Sequence, residues 1–304
     1  MRYFISFPDS RNFVYSIDKL VIHGKFLYNS FYDFQRRLNT LMLKYVVSPD
    51  ELPFDICFLR DTYWESRKSL TYINNFKFDL IYNGDVTTFW LGTHFKSYDN
   101  TLLTWKLELN PNKCMPCNFV SDLFFLLLDL SKNDSVSVGE YDIAVDMPIS
   151  RDDLYLVKDQ RKYQSVVNSA IDKTEYLGCR HTMGFCKLYN KQLESKLDSV
   201  MSRFEMTCTN LSVLDIMSRF PTVYYACPQL SLPDLKLSDT DKFILRTLVL
   251  DPLRISELSY DKRRKMKQAL ESAFTILLFD KSCISNLVAA LSDLNTFFRG
   301  VEIM

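Results

Sequence analysis

The sequence predicts an α+β protein: a curved, largely antiparallel sheet with packed helices, followed by a helical C-terminal region. Three observations predict it. Residues 1 to about 115 hold alternating runs rich in aromatic and β-branched residues, SIDKLVIHGKF, FKFDLIYN, VTTFWLGTHFK and LLTWKLELN. A second set of such runs, GEYDIAVDMPI, TEYLGCR, GFCKLYNK and SRFEMTC, lies between 139 and 208. From about residue 210 the alternation fades and apolar positions recur at helical spacing. The chain accordingly divides into an α+β part, 1–210, and a helical part, 211–304. No low-complexity linker separates them, so the two are expected to pack together.

Each element has a local reason. YNGD around Gly84 and SYDN around Asp99 are turn chemistry between apolar runs. NPNK after LEL ends a strand, and CNFVSDLFFLLLDLSK then reads as a buried helix. Pro221, Pro228, Pro233 and Pro252 punctuate the C-terminal part. SDTDKFILRTLV opens with a Ser or Asp cap before apolar positions, and YDKRRKMKQALESAF is a second amphipathic helix. A faint echo runs through the first 200 residues. SIDKLVI, FWLGTHF and KLELNPNK are followed by YDIAVDM, EYLGCRH and KLYNK in the same order. Such an echo implies a duplicated α+β unit and a sheet with pseudo-two-fold symmetry.

Composition excludes several classes. Lys plus Arg number 37 and Asp plus Glu number 37, so no global basic charge announces a nucleic-acid binder. Seven glycines give neither G-x-G-x-x-G nor a Walker loop, which removes dinucleotide-binding and P-loop readings. Three isolated histidines, at 23, 94 and 181, supply no zinc spacing. The start carries no signal peptide, and LFFLLLDL is interrupted by Asp129 and too short to span a bilayer. The expectation is a cytoplasmic protein, not bound to a membrane, with its eight cysteines reduced. Cys114 and Cys117 form one CxxC with no partner pair for a metal knuckle.

Side chains alternate across a strand, so three runs can be read by face. In YDIAVDM, Asp142, Ala144 and Asp146 oppose Ile143 and Val145. In GFCKLYNK, Lys187, Tyr189 and Lys191 share a side, and in SRFEMTC, Arg203, Glu205 and Thr207 do. A half-exposed sheet shows the same alternation with its charges merely solvated. If these strands pair, one face gathers carboxylates for a hard divalent cation, cations for phosphate, and a tyrosine hydroxyl.

The combined pattern resembles the Rep-trans family of rolling-circle replication initiators. Its elements here are Asp142 to Asp146, Tyr176 to Arg180, Tyr189 to Glu194 and Arg203 to Glu205, with Glu108 to Lys113 upstream. The match in order and spacing covers about 100 residues, from 105 to 208. The resemblance implies a metal-dependent nicking-closing endonuclease acting at a plasmid or phage origin. Tyr189 would be the nucleophile, forming a 5′-phosphotyrosyl link and leaving a free 3′ hydroxyl, with Tyr176 as the alternative. Lys191 would lower its pKa or hold the phosphate, and Arg180 and Arg203 would grip phosphate oxygens. Asp142, Asp146 and Glu205 would hold Mg²⁺ or Mn²⁺, with Glu108 and Asp18 in reserve. Lys187 would contact DNA. Origin DNA, a host helicase and a second copy of the chain are the implied partners.

Outside that region, RISELSYDKRRKMKQAL sets Arg254, Lys262, Arg263, Arg264, Lys265 and Lys267 against Glu257 and Asp261. Leu258, Met266 and Leu270 form its apolar stripe, and Arg263, Arg264 and Lys267 are candidate DNA contacts beside the default of a solvated face. His181 is a further candidate for metal or DNA. Three other readings stand beside the initiator: a relaxase of a mobile element, a non-catalytic origin or operator binder, and an α+β protein unrelated to DNA.

Overall fold

The computed structural model describes residues 6–8, 12–27, 30–45, 58–63, 72–82, 85–96, 101–114, 117–132, 134–156, 160–169, 172–209, 223–225, 237–276, 278, 285–287 and 289. The turn around Gly84, the turn around Asp99, Pro221, Pro228, Pro233 and the division at residue 210 lie outside them.

Among the described residues, eleven strands form one sheet, and every pairing described in it is antiparallel. In spatial order they are β3 (Phe58–Tyr63), β4 (Tyr72–Tyr82), β5 (Asp85–Lys96), β6 (Thr101–Leu109), β2 (Val14–Lys25), β7 (Ser137–Met147), β12 (Ser202–Cys208), β11 (Cys186–Asn190), β10 (Asp172–Leu177) and β9 (Tyr163–Ser169). The short β1 (Ser6–Pro8) adds to β2.

Alternation gives this sheet two unlike faces. Ile17, Leu20, Ile22, Leu107, Ile143, Val145, Leu188, Phe204 and Met206 are buried on one. Helices α1 (Ser30–Tyr45) and α3 (Asn118–Asp129), the latter preceded by the short α2 (Pro111–Cys114), supply the rest of that core through Phe34, Leu38, Phe119, Leu123 and Leu127. Phe119 reaches the Phe78 ring at 5.5 Å, and Phe78 stacks on Phe89 at 4.8 Å. Each such ring removed from water contributes roughly 1.5–3 kcal/mol. Gly24 belongs to this packing: a Cβ there would stand 2.4 Å from the Trp105 ring. That ring donates from Nε1 to Ser131 at 2.9 Å.

The two halves of the sheet share one topology. In the first, the opening strand β2 pairs with the closing strand β6, followed outward by β5, β4 and β3. In the second, β7 pairs with β12, followed by β11, β10 and β9. The antiparallel pair β2–β7 lies on the pseudo-dyad. The echo between SIDKLVI and YDIAVDM is therefore real in the fold. The rest of the echo is displaced by one strand: β5 corresponds to β11 and β6 to β12, so FWLGTHF does not match EYLGCRH in space.

The C-terminal part is mostly helical where it is described, with two short strands, Val223–Tyr225 and Thr275–Ile276, that the sequence pattern does not predict. Helix α5 (Asp239–Leu250) is capped by Ser238, whose hydroxyl accepts from the Asp241 N–H at 3.2 Å. A 3₁₀ turn, Pro252–Glu257, leads to α6 (Tyr260–Phe274). Leu245, Leu248, Ile255, Met266 and Leu270 make a second, smaller core, with Leu258 packed on it. β8 (Leu154–Leu156) pairs with β13 (Val223–Tyr225), which pairs with β14 (Thr275–Ile276), so a second sheet draws strands from both parts of the chain.

The cysteines depart from expectation. Cys114, Cys179, Cys186 and Cys208 are thiols outside any disulfide, but Cys117 is disulfide-bonded. The CxxC does not close on itself, and the other half of that disulfide lies outside the described residues. Burial pushes the Cys114 thiol up to about 11. Among the described residues, no helix is long and apolar enough to cross a membrane.

Candidate functional site on the polar sheet face

The sheet face opposite α1 and α3 carries the polar side chains. Pairing brings Arg203 opposite Asp146 and Tyr189, and Glu205 opposite Ala144 and Lys187. Asp142, Asp146, Lys187, Tyr189, Arg203 and Glu205 thus fall on three adjacent strands, in the arrangement the alternation predicts.

Tyr189 is 4% exposed, and its hydroxyl donates to Glu205 Oε1 at 2.6 Å. Burial, then the Glu205 carboxylate, hold the phenol far above the usual tyrosine range. The expected lowering by Lys191 is not what the geometry gives. Lys191 opens the short helix α4 (Lys191–Ser195) beyond the strand, pairs with Glu194 at 2.6 Å, and lies 5.8 Å from the Tyr189 ring centre. Lys187 is the nearer cation, 3.6 Å from that centre and 4.0 Å from Glu205.

Arg203 binds Asp146 in fork geometry, Nε to Oδ1 at 2.5 Å and Nη2 to Oδ2 at 2.6 Å. Its Nη1 reaches Asp18 at 2.9 Å, and Glu205 at only 3.9 Å. Asp18 arrives there because the β2 register slips between Ile17 and Lys19, leaving it as an extra residue. Asn110 donates to Asp18 at 2.9 Å, and Asn112 donates to the Ile17 carbonyl at 2.8 Å. The NPNK segment therefore braces the bulge that aims Asp18.

A second charged group adjoins the first. Lys19 pairs with Glu140 at 2.6 Å and lies 3.9 Å from Glu108. Lys106 holds Glu108 at 2.8 Å. Neither Lys19 nor Glu140 stood out in the sequence; the preceding Gly139 and the bulge at Asp18 hide both from simple alternation. His181, in a loop with Gly178 at φ +96°, reaches Glu140 at 3.7 Å. Arg180 is exposed in that loop and sits 5.8 Å from the Tyr176 ring centre, not against Tyr189.

Among the described residues, no three His, Cys, Asp or Glu side chains form a metal-binding group. The donor set still fits a divalent cation in reduced form. Both Asp146 oxygens are engaged by Arg203, so Asp146 is unsuited as a ligand. Asp142 differs: its buried Oδ1 has no hydrogen-bond partner. Burial pushes the carboxyls of Asp142 and Glu205 up, while Lys19 beside the first and Lys187 and Arg203 beside the second pull them down. They occupy diagonal positions on β7 and β12, and Mg²⁺ commonly needs only one or two protein carboxylates beside substrate oxygens.

On α6, the cations are not equivalent. Arg263 donates to the carbonyls of Ser256 and Leu258 at 2.9 and 3.0 Å. Lys262 and Lys265 both pair with Asp241 of α5, the latter at 2.6 Å. Arg264 is exposed and Lys267 half-buried, and neither makes an ion pair with a described residue.

No protein-family model matches the chain, and no curated protein matches it. Among solved structures, a rolling circle replication initiator protein from Geobacillus stearothermophilus is similar at 13% identity and a TM-score of 0.33, covering 92% of this chain and 96% of that one.

Proposed function

We propose that this chain is a rolling-circle replication initiator that cuts and re-joins one strand of origin DNA through Tyr189. The observation that carries the reading is the Tyr189–Glu205 hydrogen bond at 2.6 Å, beside Lys187, Arg203 and Asp142. A nucleophile within reach of its base is the arrangement covalent catalysis requires. Tyr189 Oη forms a bond to phosphorus, the phosphorus–O3′ bond breaks, and the phenol proton passes to Glu205. The departing 3′ oxygen takes its proton from water. Closure runs the same steps in reverse. Lys187 and Arg203 offset the charge that gathers on the phosphate oxygens. Asp146 and Asp18 position Arg203. Asp142 and Glu205 would hold Mg²⁺ or Mn²⁺, which supplies further stabilisation of that charge when bound. Arg264 and Lys267 are the α6 candidates for flanking phosphates.

One observation favours a second reading, a DNA binder without chemistry: the Tyr189 hydroxyl is buried and held as a neutral phenol. The two readings separate in one assay. The chain is incubated with Mn²⁺ and supercoiled plasmid carrying the DNA that flanks its coding sequence. Open circles that vanish with Tyr189→Phe support the initiator. Retained plasmid binding with no open circles supports the binder.

A further inference from the structure

The two halves of the sheet share a topology but contribute differently to the polar face. Trp90 opposite Glu108 and Gly92 opposite Lys106 correspond to Lys187 opposite Glu205 and Tyr189 opposite Arg203. The first half therefore has no tyrosine at the place of Tyr189. What it supplies is a support that reaches across the pseudo-dyad. Asp18 stands on β2, and Asn110 joins the end of β6 to the start of α2.

Local structure fixes the Asn110 amide. Pro111 opens α2 with the φ that a helix start requires. Asn110 Oδ1 accepts from the Asn112 and Lys113 N–H groups at 3.0 and 3.3 Å. With its oxygen so occupied, the amide turns its nitrogen to Asp18 and donates to Oδ1 at 2.9 Å. The same Asp18 oxygen lies 2.9 Å from Arg203 Nη1. That Nη1 is also 3.9 Å from Glu205 Oε1, the oxygen that accepts from the Tyr189 hydroxyl.

We propose that Asn110 is a positioning residue: by holding Asp18, it keeps Arg203 Nη1 from pairing with Glu205. Asp18 and Glu205 draw the same nitrogen, and the better-held carboxylate keeps it. Asp18 sits on a bulge, where the strand ladder is locally disrupted, so its aim depends on outside support. The Asn110 amide gives that support to the side chain, and the Asn112 amide gives it to the Ile17 carbonyl at 2.8 Å. An Asp18 released from Asn110 leaves Nη1 to Glu205. A guanidinium paired directly with Glu205 favours its ionised form and makes it a weaker acceptor for the phenol proton. That consequence for catalysis rests on the function proposed above; the hold on Arg203 does not.

Asn110→Asp and Asn110→Ser separate this role from helix capping. Both residues cap a helix start about as well as Asn. The first has no N–H to give Asp18, and the second is too short to reach it. The urea midpoint of either variant is expected to match that of the unaltered chain. Nuclear magnetic resonance of the full chain with isotopically labelled arginine gives a readout that needs no activity, the Arg203 signals being assigned by their loss in Arg203→Lys. The Nη1 proton signals are expected to shift or merge in both variants, while the Nε–H signal held by Asp146 stays in place. Nicking of an origin oligonucleotide with Mn²⁺ is expected to fall about 10- to 100-fold in kcat, with KM unchanged. Arg203 signals that stay as in the unaltered chain, with or without a lowered urea midpoint, overturn the hold and leave Asn110 a helix cap. Altered signals with undiminished nicking overturn the positioning role and keep the strand-cutting function. Altered signals in a chain that nicks in no form keep the hold on Arg203 and overturn the strand-cutting function.

Discussion

Arg203 grips Asp146 through two parallel hydrogen bonds of 2.5 and 2.6 Å, one from Nε and one from Nη2. The pair is nearly buried, with side chains 9% and 14% exposed. A buried guanidinium that loses its carboxylate becomes an uncompensated charge, which typically costs about 3–5 kcal/mol. Asp18 at 2.9 Å remains as a second partner. Asp146→Asn is therefore expected to lower stability by about 3 kcal/mol, the low end of that range, in urea unfolding. The same variant is expected to bind Mn²⁺ as the unaltered chain does, whereas Asp142→Asn should lose at least about tenfold in Mn²⁺ affinity by calorimetry. Equal losses in both would return Asp146 to the ligand set.

Glu205 is the acceptor for the Tyr189 proton. Glu205→Gln keeps the size and a hydrogen bond but accepts no proton. Nicking should fall by about 100-fold or more, the usual worth of a positioned base, with origin affinity unchanged. Full activity in this variant would remove Glu205 from the chemistry.

Asp241 ties α5 to α6 through Lys262 and Lys265, and those two lysines hold its carboxyl well below its ordinary 3.8. A carboxyl with a lowered folded pKa contributes stability that is present above the unfolded value and is lost as pH falls below it. Helical circular dichroism of the unaltered chain should therefore weaken as pH drops below about 3.8. Asp241→Asn should show a flatter acid limb. An identical acid limb in both would show that the clamp contributes nothing.

The basic helix divides its cations by task. Arg263 closes the carbonyls of Ser256 and Leu258, so Arg263→Ala should lower stability more than DNA affinity. Arg264→Ala with Lys267→Ala should instead reduce the salt slope of duplex binding by about 1.8, two phosphate contacts. A slope that stays constant in the double variant places the DNA elsewhere.

Much of this was legible in the sequence because strand periodicity is two. YDIAVDM, GFCKLYNK and SRFEMTC each assign their polar residues to one face, and the structure pairs those faces in adjacent strands. Pairing across the chain was not legible. Nothing local to Arg203 says that it holds Asp146 and not Glu205, two residues away. A bulge defeats alternation as well: Asp18 reaches Arg203 only because β2 carries one extra residue. Lys191 departs from the strand face for a related reason. The strand stops at Asn190, whose side chain caps α4 by accepting from the Leu193 N–H at 3.0 Å, so period two no longer governs the next residue. The echo matches the shared strand order of the two halves at SIDKLVI and YDIAVDM but aligns the other strands wrongly, because Gly92 and Trp90 share no chemistry with Tyr189 and Lys187.

The most direct test of the account is the covalent link itself. The chain is mixed with Mn²⁺ and a radiolabelled single-stranded oligonucleotide spanning the nick, denatured, digested with protease and mapped by mass spectrometry. The account predicts a phosphodeoxynucleotide on the peptide that carries Tyr189, joined through the 5′ phosphate, and none with Tyr189→Phe. An adduct on Tyr176 or any other residue, or one that persists in Tyr189→Phe, would contradict it.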